Sequence, residues 1–140
     1  MAALGAEFAV LLLISGNWHT LAKLEKALDE LRDKDGLTIT IKKTGERGGQ
    51  DDCIPYGVDV VCLDQAGIVF HISEFFAIRN IEIADLATRR YAAAHTGAPM
   101  FSVQMTVNIP GSAPIAQLRD EFLDLCEQHN LDSILEPIKA

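Results

Sequence analysis

Cysteine is sparse here and carries no motif: Cys53, Cys62 and Cys126 make an odd count with no Cys-x-x-Cys spacing and no histidine at ligand distance in sequence. That excludes a disulfide framework and the usual zinc patterns, and reduced thiols are expected. The four histidines, His19, His71, His95 and His129, are scattered, so neither a metal nor any other cofactor is expected. Positive charge is also short, with 12 basic against 20 acidic residues and a net charge of −8. This balance opposes the counterion release that drives non-specific DNA affinity, so direct contact with nucleic acid is not expected. The basic residues form only short pairs, Lys42-Lys43 and Arg89-Arg90. Long apolar runs are missing too. Phe8 to Ile14 is unbroken, but it follows Glu7, has no basic leader and is far too short to span a bilayer, so neither a signal peptide nor a membrane segment is expected. A strand suits it better.

What remains is a globular composition, 49% hydrophobic and 23% charged over 140 residues, enough for one ordinary domain or two small ones. Its organising stretch runs from Asp64 to Ile81. The apolar run Val58 to Leu63 enters a short polar loop with one glycine, and Ile68, Ile72, Phe75 and Phe76 follow at helical spacing. The pattern is strand, tight loop, helix. Asp64 is expected to cap the helix, and Gly67 to admit close approach of another molecule to the backbone. The first turn then offers unpaired N–H groups and a positive dipole end to a carboxylate or other small anion. An ordinary capped helix without a ligand fits the same residues.

An internal repeat is the most informative feature of the chain. Phe8-Ala9-Val10-Leu11-Leu12 resembles Phe101-Ser102-Val103-Gln104-Met105, and Leu21-Ala22-Lys23-Leu24 through Leu31 aligns with Ile115-Ala116-Gln117-Leu118 through Leu125. Leu28 matches Phe122 on the same helical face. Gly36-Leu37 matches Asn130-Leu131, where each helix stops at a residue tolerant of left-handed geometry and a last strand begins. Strand, helix, strand therefore occurs twice. The expected division is a partial repeat at 1–44, a linker at 45–54 rich in glycine and charge, and a complete domain at 55–140.

The complete copy adds a strand from about Gly57 to Leu63, the helix from Ile68 to about Ile78 and a strand from Ile81 to about Ala92. A turn at His95-Thr96-Gly97-Ala98-Pro99 leads to the strand from Met100 to Ile109. The order β-α-β-β-α-β predicts an α+β, ferredoxin-like fold, one antiparallel sheet with two helices on one face. The first copy lacks a counterpart of the opening strand and helix. Since the opening strand sits between the third and the last, its loss leaves backbone groups unpaired in mid-sheet. Two remedies are expected: Met1 is an internal start with a strand and helix encoded upstream, or the chain pairs with a second copy of itself. Upstream coding sequence with another Asp-x-x-Gly would favour the first.

The Asp64-Gln65-Ala66-Gly67-Ile68 loop, the helix behind it and Asn80-Ile81 leading into the second strand resemble an ACT domain, the regulatory module that binds amino acids. The resemblance covers Tyr56 to the C-terminus, with the first half as a truncated second example. Tandem modules with little else, and the Thr-Gly-Ala-Pro turn, look like the glycine cleavage system regulatory family. The resemblance implies a cytoplasmic sensor rather than a catalyst, working as a homodimer or higher oligomer. Its ligand would be a small amino acid such as glycine, held between modules by Asp64, Gln65, Ala66, Gly67 and Ile68 with Asn80 and Ile81 opposite. Its protein partner would be a DNA-binding activator. Many ACT domains have a glycine where this chain has Ile78, so the helix is expected to stop with Asn80 in the left-handed region.

Two other readings stand beside the sensor. One is an ACT-type interaction module with no small ligand. The other is a small enzyme on the acylphosphatase plan, but Asp64-Gln65-Ala66-Gly67 carries no phosphate-gripping arginine, and Cys62 lies among apolar neighbours that favour an inert thiol. Phe70, Phe75, Phe76 and Phe101 are expected mostly in the core, Trp18 against the start of its helix, and Asp29, Glu30, Asp33 and Asp35 on a solvated helix face.

Overall fold

The computed structural model describes residues 1–49 and 51–139, and the chain divides into two units, Met1–Arg47 and Gly48–Ala140. Gln50, within the expected linker, and the terminal Ala140 lie outside the described residues.

In the first unit, β1 (Ala2–Leu4) and β2 (Glu7–Ala9) form a hairpin whose turn holds Gly5 at φ 65°. The one helix described there, α1 (Trp18–Asp35), starts at Asn17, whose Oδ1 accepts from the Thr20 amide at 2.8 Å, and stops at Gly36 with φ 64°. That stop is the one expected from its alignment with Asn130. Leu21, Leu24 and Leu28 make a half-buried stripe, but α1 buries no residue fully.

Three expectations change here. Of the strand expected at Phe8 to Leu12, only Phe8 and Ala9 pair, with Ala3 and Ala2, while Leu11 is 94% exposed. Among the described residues, 37–49 form no strand after Gly36. The segment instead returns beside α1, with Arg32 Nη2 donating to the Ile39 carbonyl at 2.7 Å and Lys43 Nζ lying 3.7 Å from Glu25. The reason is the ladder itself: strand geometry persists only where a neighbouring strand takes up alternate N–H and C=O groups, and among the described residues none lies beside either segment. Trp18 is 83% exposed rather than packed on its helix.

The second unit follows the expected order: β3 (Cys53–Leu63), α2 (Ile68–Ala77), β4 (Glu82–Ala92), β5 (Pro99–Pro110), α3 (Ile115–Gln128) and β6 (Asp132–Pro137). The sheet order is β4-β5-β3-β6 with every neighbouring pair antiparallel, the ferredoxin-like arrangement. Two-residue alternation sets its faces. Tyr56, Val58, Val60 and Cys62 from β3 and Val103, Met105, Val107 and Ile109 from β5 are buried, while Asp59 and Gln104 between them face solvent. Ile68, Ile72, Phe75 and Phe76 of α2 and Leu118, Phe122 and Cys126 of α3 fill the same core. Phe122 joins the helices, its ring 5.3 Å from Phe75 and 5.5 Å from Phe76. Phe101 is half-buried against this core, but Phe70 is 62% exposed, on the outer side of α2.

Both helices end alike. Asn80 and Asn130 take φ 54° and 55°, and the amides after them, Ile81 and Leu131, donate to the carbonyls of Phe76 and Cys126. The Asn80 and Asn130 amides donate to Ala77 and Glu127. This is the Schellman pattern, with a buried apolar residue placed just beyond the turn. Near one of these ends, Arg79 sets its guanidinium 3.8 Å from the Phe75 ring centroid and donates to Glu121 from Nη2 at 2.6 Å and Nε at 3.1 Å, tying α2 to α3. Hydrogen bonds from Arg79, then Gln117, hold the Glu121 carboxyl below the usual carboxylate range.

Phe122→Ala should lower unfolding free energy by about 3–5 kcal/mol, read from the denaturant midpoint. For Glu121 the folded pKa lies below the unfolded one. Its stabilising effect is therefore present above its ordinary pKa and lost as pH falls through the depressed one. Arg79→Gln should accordingly lower the melting temperature at pH 7, and the gap from the unsubstituted chain should narrow at pH 3.

Candidate functional site

β3 ends at Leu63 and the chain turns through Asp64, Gln65 and Ala66 to Gly67, which opens α2 in the left-handed region at φ 86°, ψ 0°. Only a residue without Cβ takes this shape cheaply, and an added Cβ would meet His71 Nε2 at 3.2 Å. The expectation that Asp64 caps α2 is overturned. Gly67 holds the N-cap place with no side-chain hydrogen bond, while the Asp64 amide donates to the Pro99 carbonyl at 2.9 Å and its carboxylate meets Arg90 Nη2 at 2.5 Å. The physical reason is reach. With Asp64 three residues before the cap, its side chain is spent on Arg90 of β4 instead of on helix amides. The amides of the first turn thus have neither a capping side chain nor an intrahelical acceptor, and the helix begins by offering donors outward.

Two histidines complete this corner. His71, whose amide donates to the Gly67 carbonyl at 3.0 Å, stacks its ring on His129 at the end of α3, centroids 4.2 Å apart and planes 22° apart. Gln65 Nε2 donates to the His129 carbonyl at 2.8 Å. The loop is therefore fastened to the sheet through Asp64 and to α3 through Gln65, with Ala66 and Gly67 exposed just after these anchors. Helical spacing from Gly67 could have drawn attention to His71. His129 and Arg90 carried no local signal, since only the fold brings them to the loop.

The residues expected to form one site fall into two places. Asp64 to Ile68 surround the start of α2, whereas Asn80 and Ile81 follow its end, about 15 Å away along a helix of this length. Asn80 is exposed and in the left-handed region, as anticipated, and Ile81 is buried in the core, as is Ile68. The side chains of Ile68 and Ile81 are therefore spent on the core.

The described residues include no group of three or more His, Cys, Asp or Glu able to hold a metal. No described helix is long and apolar enough to cross a membrane. The Cys62 thiol is pushed up by burial, and further by the carboxylates of Asp64 and Asp132. It stays protonated at neutral pH, which makes it a poor nucleophile. Gly67→Ala should cost about 1–2 kcal/mol from the left-handed backbone alone, measurable by denaturant unfolding. Cys62 should react with a thiol reagent only on unfolding.

No protein-family model matches the chain. Over 130 residues, 93% of this chain and 68% of the relative, it is 28% identical to the glycine cleavage system transcriptional repressor of Escherichia coli (strain K12). A crystal structure assigned provisionally to a glycine cleavage system transcriptional repressor superposes with a TM-score of 0.65 at 23% identity, over 89% of this chain and 70% of that one. An ACT domain protein from Streptococcus pneumoniae superposes with a TM-score of 0.50 at 20% identity, over 60% of this chain and 89% of its own. The α+β, ferredoxin-like fold is thus that of an ACT domain, and over nearly all its length the chain resembles the glycine cleavage system transcriptional repressor.

Proposed function

We propose that the chain is an amino-acid-sensing regulatory protein of the cytoplasm, not a catalyst, acting on transcription through contact with another protein. The observation that carries this reading is the 28% identity to a glycine cleavage system transcriptional repressor over 93% of the chain. The net charge of −8 supports action through a protein partner, such as a DNA-binding activator, rather than directly on nucleic acid.

The ligand is a small amino acid, glycine being the first candidate. Its carboxylate lies against the uncapped amides at the start of α2, where the helix dipole favours negative charge and Gly67 leaves the backbone open. Asp64, Gln65, Ala66 and Ile68 frame that place. Asn80 and Ile81 stand too far along α2 to reach the same molecule, so they serve a ligand only by facing the loop of a neighbouring module. The site is then shared between modules, within a homodimer or higher oligomer. Binding shifts how the modules sit and so alters the surface offered to the partner.

The burial of Ile81 and the use of Asn80 to end α2 favour a second reading, an ACT-type interaction module with no small ligand. A thermal melt against each common amino acid separates the two. A ligand at about 100 times its dissociation constant adds roughly 2.7 kcal/mol to stability, a rise of several degrees for a chain of this size. The expected result is a rise with glycine or one other small amino acid, lost in Gly67→Asp, where a side chain and a repelling charge enter the cradle. A rise that persists in Gly67→Asp would remove the loop from the site. No rise with any amino acid would leave the ligand-free module.

A further inference from the structure

The edge of the sheet formed by β6 is bordered by a groove of about 290 Å³ between that strand and α3, lined by Arg119, Phe122 and Leu123 on one side and Ser133 to Glu136 on the other. The register divides the strand's side chains between two faces. Ser133 and Leu135 lie opposite the buried Val60 and Val58, while Asp132, Ile134 and Glu136 lie opposite Val61, Asp59 and Gly57 on the open face. β6 pairs with β3 alone among the described residues, so alternate backbone groups along its other side have no strand partner. Ile134 is 54% exposed and Leu123 49%.

Charge on the two faces identifies what would fit. Inside the groove, the buried Nε of Arg119 has no hydrogen-bond partner among the described residues, and its guanidinium lies 5.9 Å from the Tyr56 ring centroid. A buried guanidinium donor without an acceptor is costly, and a carboxylate is its best complement. On the open face, Asp59, Asp132 and Glu136 cluster around the same strand. Two-fold pairing of β6 with a second copy would set these acids beside those of the other copy, and like charges facing one another oppose pairing.

We propose that the groove takes an extended segment of a different protein, added to β6 as a further strand. Its alternate side chains are apolar with one carboxylate on the groove side, meeting Arg119, and basic on the open-face side, meeting Asp59, Asp132 and Glu136. Backbone bonds to β6 supply affinity, and the two rows of side chains supply selection. The inference is independent of the amino-acid reading, since neither the loop at Gly67 nor a ligand there takes part.

Display of random octapeptides against the full chain tests it, followed by titration of the best selected synthetic peptide into isotope-labelled protein. The expected consensus places an acid among apolar residues at one parity and Lys or Arg at the other. Bound peptide should slow amide exchange along Asp132–Pro137, and Arg119→Gln should weaken binding by about tenfold or more. Arg119→Lys, which keeps the charge but loses the forked donor, should recover only part of this. Failure to select any peptide, a consensus without the acid, equal binding by Arg119→Gln, or exchange protection elsewhere would overturn the proposal. So would a dimer in sedimentation that protects β6 without peptide, which would assign the edge to a second copy.

Discussion

β3 is the constraint on which the second unit depends, because it is paired along both edges, with β5 through its whole length and with β6 through half of it, and runs straight into the Gly67 loop. A central strand must satisfy its backbone on both sides and bury one full face, so its register decides where everything around it sits. The alternation of Tyr56, Val58, Val60 and Cys62 sets the face that receives α2 and α3, and Phe122 between Phe75 and Phe76 closes that layer. A slip of one residue would turn Asp59 into the core. The loop that follows Leu63 inherits its position from this register, since the Asp64 amide continues the pairing onto Pro99.

The same constraint gives the two ends of α2 different characters. Its start has no capping side chain, a left-handed glycine and two anchors that hold the loop without covering it. Its end has a complete set of turn hydrogen bonds and a buried Ile81. One end offers donors and the other has spent them. One small ligand could touch both ends only if they came from different modules, since a helix length separates them within one. The groove beside β6 belongs to another part of the same sheet, the edge that β3 leaves exposed once β6 has paired with it.

The two units show how much strand formation depends on partners. Phe8 to Leu12 and Phe101 to Met105 match in Phe and Val, yet the second lies within a twelve-residue strand and the first contributes two residues to a short hairpin. The difference is supplied by β3, which gives the second segment a complete neighbour. Helix ends were more legible, because their chemistry is local. Gly36, Asn80 and Asn130 each stop a helix through a left-handed residue, as their sequence positions suggested. Asp64 misled for the same reason: an acid before a helix resembles a cap, and only the fold shows that Arg90 draws it away.

The sequence by itself determined the order of elements in the second unit, the buried face of α2, and the loop around Gly67, because periodicity and turn chemistry act over a few residues. Tertiary structure alone decided that Asp64 pairs with Arg90, that His129 stacks on His71, and that Arg119 has an unpartnered donor beside a free strand edge. Those contacts join residues far apart in the chain, and their energies depend on distances that no local pattern encodes. It also decided that Asn80 and Ile81 stand a helix length from the loop of their own module, through the rise of α2.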